Sequence, residues 1–224
     1  MEFKDIDGIT FDLFNTLIGS NGIRRDYKEI SEYFISNNLE IYPQELEAAR
    51  QYVFFHDLMV YGINSWDKWA RQILFRLDIE YDDSILPGFI EKLGANSNKL
   101  FLFDDVKEII DKLSEKYILS IVTTIPEFQF DDIIRPIADK FKIIVTGRNA
   151  KCAKGNKKMY LYDLDKKGVE ASKNLFIGDD PLYDIHYPKR LGMKTIEIAR
   201  NGKFQSEEAD RQIRTLLELN ELLL

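Results

Sequence analysis

The sequence predicts an α/β fold: a parallel five-stranded sheet flanked by helices, with a helical subdomain inserted after the first strand. Three observations carry this. Five short apolar runs recur along the chain between amphipathic stretches, the alternation of a parallel sheet built from crossover units. Residues 20–100 break that alternation and read as helix. At 224 residues, with 45% hydrophobic and 31% charged side chains, the chain has material for one core plus an insertion and is not disordered.

The first strand is read over Ile6–Leu13, with Asp12 at its end. The insertion follows. A long strand-free segment there reads as a lid over the carboxyl ends of the strands, where open α/β sheets bind ligands. Its aromatics, Tyr52, Phe54, Phe55, Trp66, Trp69 and Phe75, read as the lid's own core. Val106, Ile109, Ile110 and Leu113 share one face of a helix over Asp105–Lys116. The second strand is Ile118–Thr123 and the third Lys142–Thr146. A helix over Lys157–Lys167 stops at Gly168. The fourth strand is Asn174–Ile177 and the fifth Lys194–Ile198. The tail from Glu207 to Leu224 sets Ile213, Leu216, Leu217 and Leu219 on an apolar face that packs on the core.

Charge and cysteine content narrow the function classes. A net charge of −7 without a concentrated basic run argues against nucleic-acid binding and against anionic lipid surfaces. Cys152 is the single cysteine, so no internal disulfide forms, and a reducing, cytoplasmic setting is expected. With His56 and His186 as the two histidines, four Cys/His ligands for a structural zinc cannot be assembled. The start, Met1-Glu2-Phe3-Lys4-Asp5, lacks a signal-peptide layout, and no apolar run reaches the ~20 residues of a membrane span.

Parallel strands bring their carboxyl ends to one edge, and polar residues follow four of the apolar runs. These are Phe11-Asp12-Leu13-Phe14-Asn15-Thr16-Leu17, Val122-Thr123-Thr124, a basic cluster of Lys151, Lys154, Lys157 and Lys158, and Gly178-Asp179-Asp180-Pro181-Leu182-Tyr183-Asp184. Taken singly, each Asp is more often a helix cap and each Lys a solvated charge. Together they converge. Asp12, Asp179 and Asp184 would repel one another unless a cation sits among them, and a hard oxygen-seeking ion used beside phosphate is Mg²⁺.

In this order and at these strand ends, the motifs resemble those of the haloacid dehalogenase-like hydrolase superfamily across nearly the whole chain. The resemblance implies a Rossmann-like core of residues 1–19 and 101–224, with 20–100 as a helical cap. It implies Asp12 as nucleophile, Thr16 as the Thr of the first motif, Thr123 as phosphoryl hydrogen-bond donor and Lys154 as the charge of the third motif. Mg²⁺ would be held by Asp12, the main-chain carbonyl of Phe14, Asp179 and Asp184. The implied activity is hydrolysis of a small phosphorylated metabolite through a covalent intermediate.

One residue departs from that pattern. Phe14 stands where the family's phosphatases carry a second Asp, the acid and base of the reaction. Losing such help typically costs ~10²–10⁴-fold, least for leaving groups stable as anions. Asp180 is the nearest carboxylate that might stand in. An aromatic at this place also marks the family's 2-haloacid dehalogenases, which expel halide and need no acid. They hold the substrate carboxylate with a cap Arg, for which Arg50 is a candidate, although a surface salt bridge suits it better. The pair Asp179 and Asp184 favours the metal-dependent phosphatase. A weakly active or inactive binding protein on the same scaffold is the third reading. His56 and Tyr61 read as structural, and His186 as a local hydrogen-bonding or packing residue.

Overall fold

The computed structural model describes residues 3–22, 27–95 and 99–224; Met1 and Glu2 of the expected start, and 23–26 and 96–98 of the expected insertion, lie outside them. The chain opens with β1 (Gly8–Phe11) and the short β2 (Ile18–Ser20). Five helices follow: α1 (Tyr27–Ser36), α2 (Pro43–Tyr52), α3 (Leu58–Tyr61), α4 (Trp66–Arg76) and α5 (Leu86–Gly94). Next come β3 (Leu100–Leu102), paired with β2, then α6 (Val106–Ser114), β4 (Ile118–Val122), α7 (Asp131–Ile134) and β5 (Phe141–Val145). The remainder is α8 (Gly147–Ala150), α9 (Lys157–Lys167), β6 (Asn174–Gly178), α10 (Tyr187–Arg190), β7 (Lys194–Ile198), β8 (Arg211–Ile213) and α11 (Leu219–Leu223).

Two compact units result. One comprises the described residues of Met1–Gly19, Phe101–Ile125 and Asp131–Leu224; the other those of Ser20–Leu100 together with Pro126–Phe130.

The first unit holds a fully parallel sheet of six strands in the order β5-β4-β1-β6-β7-β8. The expected fold class is therefore observed, but the strand count of five is corrected to six. The sixth strand comes from the tail read as one apolar helical face. Arg211–Ile213 pairs with Ile196–Ile198 of β7, burying Ile213, while the Gln212 amide donates to Glu197 Oε2 at 2.9 Å. Three residues with one apolar side chain carry no strand pattern, and the pairing depends on Glu197, distant in sequence. After β8, Thr215 caps a short helical turn and accepts from Leu217 N–H, which turns Leu217 outward.

β1 lies between β4 and β6, so the chain runs toward one sheet edge through β4 and β5 and toward the other through β6, β7 and β8. The reversal opens a crevice at the carboxyl end of β1, the place where such sheets bind ligands. On the sheet's flank, α6 buries Val106, Ile109, Ile110 and Leu113, and α9 packs on β4 and β5. α9 ends on Gly168, whose φ of +71° closes the helix without the strain a side chain would bring. A buried ion pair ties α9 to the sheet. Lys167 and Asp163 lie 3.0 Å apart, and Lys167 Nζ donates to Thr10 Oγ1 and Asn174 Oδ1, both at 2.6 Å.

The second unit is helical around Ile30, Phe34, Leu46, Trp69, Ile73 and Phe89. Of the six aromatics read as its core, Trp69 is buried, Phe54 and Trp66 pack against the core, and Tyr52, Phe55 and Phe75 are exposed. Phe128 belongs here too: its ring lies edge-on to Trp66 and Trp69, with centroids at 5.2 and 5.8 Å. α4 starts at Ser65, whose hydroxyl accepts from Lys68 N–H. A wide π turn at Val53–Asp57 carries Asp57 inward. Its carboxylate accepts from Arg76 Nε (2.6 Å) and Nη2 (2.5 Å), from Gln72 Nε2 (2.7 Å), and lies 2.8 Å from His56 Nδ1. Arg50 lies over the Tyr27 ring at 5.9 Å instead of forming an ion pair among the described residues. No helix among the described residues is long and apolar enough to cross a membrane.

Candidate active site

At the carboxyl edge of the parallel sheet, Asp12 follows β1 directly, and its backbone N–H donates to Ile177 O of β6 at 2.8 Å. That bond locks the nucleophile candidate against the strand that delivers Asp179. The chain then turns sharply: Asn15 adopts a φ of +55°, Asn15 N–H donates to Ile18 O, and Leu17 N–H to Leu13 O. Asn is among the residues that tolerate this left-handed backbone. Its amide Nδ2 donates to Asp179 Oδ2 at 2.9 Å. Sequence reasoning passed over Asn15, yet a small amide beside a motif turn is a signal that could have found it.

Asp184 follows β6 on a wide π turn, Pro181–His186. Asp180 caps that turn, its Oδ1 accepting from Leu182 N–H and Tyr183 N–H at 2.8 Å each. Asp180, the carboxylate nearest in sequence that might stand in for an acid at Phe14, thus holds the turn through Oδ1. Asp184 Oδ2 accepts from Asp180 N–H at 3.0 Å. Only glycine permits the packing, since a Cβ on Gly178 would stand 2.4 Å from Asp184 Cγ. Gly178→Ala is therefore expected to push the carboxylate aside and weaken Mg²⁺ or Mn²⁺ binding by roughly 10–100-fold, as when other supports of a metal site are lost. Calorimetric titration of the variant checks this.

Lys154 completes the cluster. Its Nζ donates to Asp12 and, at 2.6 Å, to Asp184. Its backbone N–H donates to Thr124 Oγ1 at 3.2 Å, and Gly155 N–H to Tyr160 Oη at 3.3 Å, so β4 and α9 both aim the loop. Thr123 lies buried at the same edge, where its Oγ1 accepts from Ile125 N–H at 3.3 Å. Phe14 is half-buried, with its backbone bridged to Ile18. Thr16 is buried; its carbonyl accepts from Arg200 Nε (2.9 Å) and Nη2 (2.6 Å), while its hydroxyl has no partner among the described residues. His186 hydrogen-bonds Glu208 at 3.1 Å and stays local.

The structure thus brings together Asp12, Lys154, Asp179 and Asp184, with a carboxylate oxygen of each acid within 4.8 Å of the others. Burial raises the pKa of all three acids. Asp184, pressed also by the charge of Asp12, is pushed up to about 7 despite Lys154. Burial works against the Lys154 ammonium too, but Asp12 and Asp184 outweigh it and keep the lysine charged. Three carboxyl groups, those of Asp12 and Asp184 buried and that of Asp179 partly exposed, therefore face one ammonium. The excess is negative and the donors are all oxygen, a set that suits a hard divalent cation such as Mg²⁺.

The parallel α/β sheet gathers these acids beyond the carboxyl ends of its neighbouring strands β1 and β6. A family profile described as haloacid dehalogenase-like hydrolase matches residues 64–198, more than half of the chain, and the chain belongs to that family. The match takes in Thr123, Lys154, Asp179 and Asp184 and begins downstream of Asp12. Among solved structures, the chain is similar to a HAD phosphatase from Thermococcus onnurineus, with 23% identity, TM-score 0.62, and 97% and 98% of the two chains covered. It is also similar to a 2-haloacid dehalogenase from Pseudomonas syringae, with 20% identity, TM-score 0.71 and coverage of 97% and 98%. A third is a Bacillus subtilis HAD-hydrolase bound to magnesium, with 20% identity, TM-score 0.60 and coverage of 98% and 99%. At these identities the likeness establishes the fold. No curated protein sequence matches the chain.

Proposed function

We propose that the chain is a Mg²⁺-dependent phosphatase acting on a small phosphorylated metabolite, by attack of Asp12 on phosphorus. The observation that carries this reading is the charge imbalance at the strand edge, three clustered carboxylates against the single ammonium of Lys154. Halide release gives no reason to assemble Asp179 and Asp184 there. Asp12, Asp179, Asp184 and the main-chain carbonyl of Phe14 would hold the ion. When bound, it offsets the repulsion between an anionic nucleophile and an anionic phosphoryl group.

The chain's own residues supply the rest. Asp12 Oδ forms a bond to phosphorus while the bond to the leaving oxygen breaks and its electron pair departs with that oxygen. Lys154, held charged by its neighbours, stabilises the negative charge on the phosphoryl oxygens. Thr123 Oγ1 already accepts from Ile125 N–H, which leaves its own proton free to donate to a phosphoryl oxygen. Asn15 fixes the orientation of Asp179. With Phe14 in place of an acid, leaving groups stable as anions are the substrates that suffer least. The helical unit, acting as a cap, would choose among them. We place this activity in the cytoplasm, on a soluble small molecule and without nucleic-acid or membrane partners, a setting that a single buried Cys152 and the acidic charge support.

Hydrolysis of para-nitrophenyl phosphate tests the reading. Turnover should require Mg²⁺ and stop on chelation. The runner-up is 2-haloacid dehalogenation, favoured by Phe14 alone. Halide release that survives chelation, with no phosphatase turnover, would replace the first reading by the second.

A further inference from the structure

We propose that the cleft between the start of α9 and α10 is a second ligand site, one that takes a small organic phosphate and through it acts on the catalytic loop. The cleft has a volume of about 580 Å³ and is lined by Gly155, Asn156, Lys157, Tyr187, Arg190 and Leu191. That volume lies within the range of small-molecule sites. None of Asp12, Lys154, Asp179 and Asp184 lines it. Binding there is independent of the phosphatase reading; its effect on turnover rests on that reading.

Charge and packing define what fits. Of the basic cluster read from the sequence, Lys154 goes to the carboxylates and Lys157 to this cleft. In a chain of net charge −7, the side chains of Lys157 and Arg190 form no hydrogen bond or ion pair among the described residues. Lys189, beside Arg190, is by contrast engaged with Asp210 at 2.8 Å. Two cations without a carboxylate, lining one cleft, suit a dianion, the lysine as a point charge and the guanidinium as a fork of donors. Asn156 adds an amide. Its Oδ1 accepts from Lys158 N–H at 3.0 Å, so α9 is capped from within and needs no anion at its start, while its Nδ2 has no acceptor among the described residues. The Tyr187 ring and Leu191 complete the wall, and they would cover an apolar body that inorganic phosphate lacks.

The same wall reaches the catalytic groups through three tyrosines. Gly155, next to Lys154, donates its N–H to Tyr160 Oη at 3.3 Å, and Tyr160 Oη donates to Tyr183 O at 2.7 Å. Tyr160 thereby joins the loop of Lys154 to the turn that delivers Asp184. The Tyr187 ring lies nearly parallel to that of Tyr183, with centroids at 6.3 Å, and at 6.5 Å from that of Tyr160. A ligand held by Arg190 and Tyr187 bears on the rings that fix Lys154 and Asp184.

Calorimetric titration of the full chain with adenosine 5′-monophosphate, in EDTA, tests the site. Without a divalent ion the three clustered acids disfavour a dianion, so binding reports the cleft. The expected result is one saturable site, weakened about 10-fold or more in Lys157→Ala/Arg190→Ala and unchanged in Asp12→Asn. Both replaced side chains are exposed and unpaired, so the double variant should keep its fold and its basal turnover. No binding, or equal binding by the double variant, would overturn the proposal. Inorganic phosphate binding as tightly as the nucleotide would overturn the organic ligand class. With Mg²⁺ and para-nitrophenyl phosphate, the nucleotide should raise kcat in the wild type and leave kcat of the double variant unmoved, whereas competition at the catalytic edge would raise KM in both. A bound nucleotide that leaves kcat unchanged in the wild type would overturn the coupling. Absence of any phosphatase turnover would remove the phosphatase reading and leave the calorimetric result standing.

Discussion

Replacing Asp12 with Asn is expected to lower turnover by about 10⁴-fold or more, the scale on which covalent catalysis fails when its nucleophile is lost. The fold should survive. Asn is nearly isosteric, and the backbone bond from residue 12 to Ile177 O does not involve the side chain. Burial already disfavours the ionised Asp12 carboxyl, so deleting its charge removes a cost, and Lys154 keeps Asp184 as its partner. Thermal unfolding of the variant should match the wild type within a few degrees. Undiminished phosphate release from a folded Asp12→Asn chain would exclude the covalent route.

The second large effect lies in the helical unit. Asp57 is buried, and burial alone would raise its pKa, but hydrogen bonds from Arg76, His56 and Gln72 outweigh that and hold it at about 2. Asp57→Ala leaves the Arg76 guanidinium without its carboxylate. Breaking a fully buried pair costs ~3–5 kcal/mol. The Arg76 side chain is 27% exposed and can recover some hydration, so about 2–3 kcal/mol is expected here. The pH dependence follows from the same site. Because the folded pKa is depressed, the carboxylate's contribution is complete above the ordinary Asp range and disappears as pH falls through about 2. It amounts to about 2 kcal/mol, lost between roughly pH 4 and 2. Hydrogen exchange in α4, compared between wild type and Asp57→Asn across that window, should show the wild type's advantage shrinking with acid. A constant gap would mean that Asp57 is not the titrating group.

How legible all this was in the sequence depended on range. The run Ile118–Val122 announces a strand because four of its five residues are apolar and β-prone, while Lys194–Ile198 is marked by its β-branched Thr195, Ile196 and Ile198. Gly168 marked the end of α9 by its backbone freedom. β8 was hidden, because Arg211 and Gln212 have no strand character until Glu197 and β7 stand beside them. Asp180 was ambiguous for another reason: an Asp before Pro181 is both a good cap and a plausible acid, and only the hydrogen bonds of the folded turn reveal the cap. Thr124, quoted only as the neighbour of Thr123, accepts from Lys154 N–H across thirty residues of chain. Asp57 was passed over although Gln72 and Arg76, four apart on one face of α4, were a visible hint of a shared partner.

The grouping of Pro126–Phe130 with the helices bears on how freely the two units can be separated by engineering. An insertion whose ends meet, as Asn21 N–H and Lys99 O do at 3.0 Å, looks like a cassette that could be cut out and its ends rejoined. Phe128 spoils that plan. Deleting residues 20–100 would strip its ring of Trp66 and Trp69, its edge-on partners in the helical unit. A minimal α/β version of this protein therefore calls for a second edit, a polar replacement at Phe128, which loses both ring partners with the insertion.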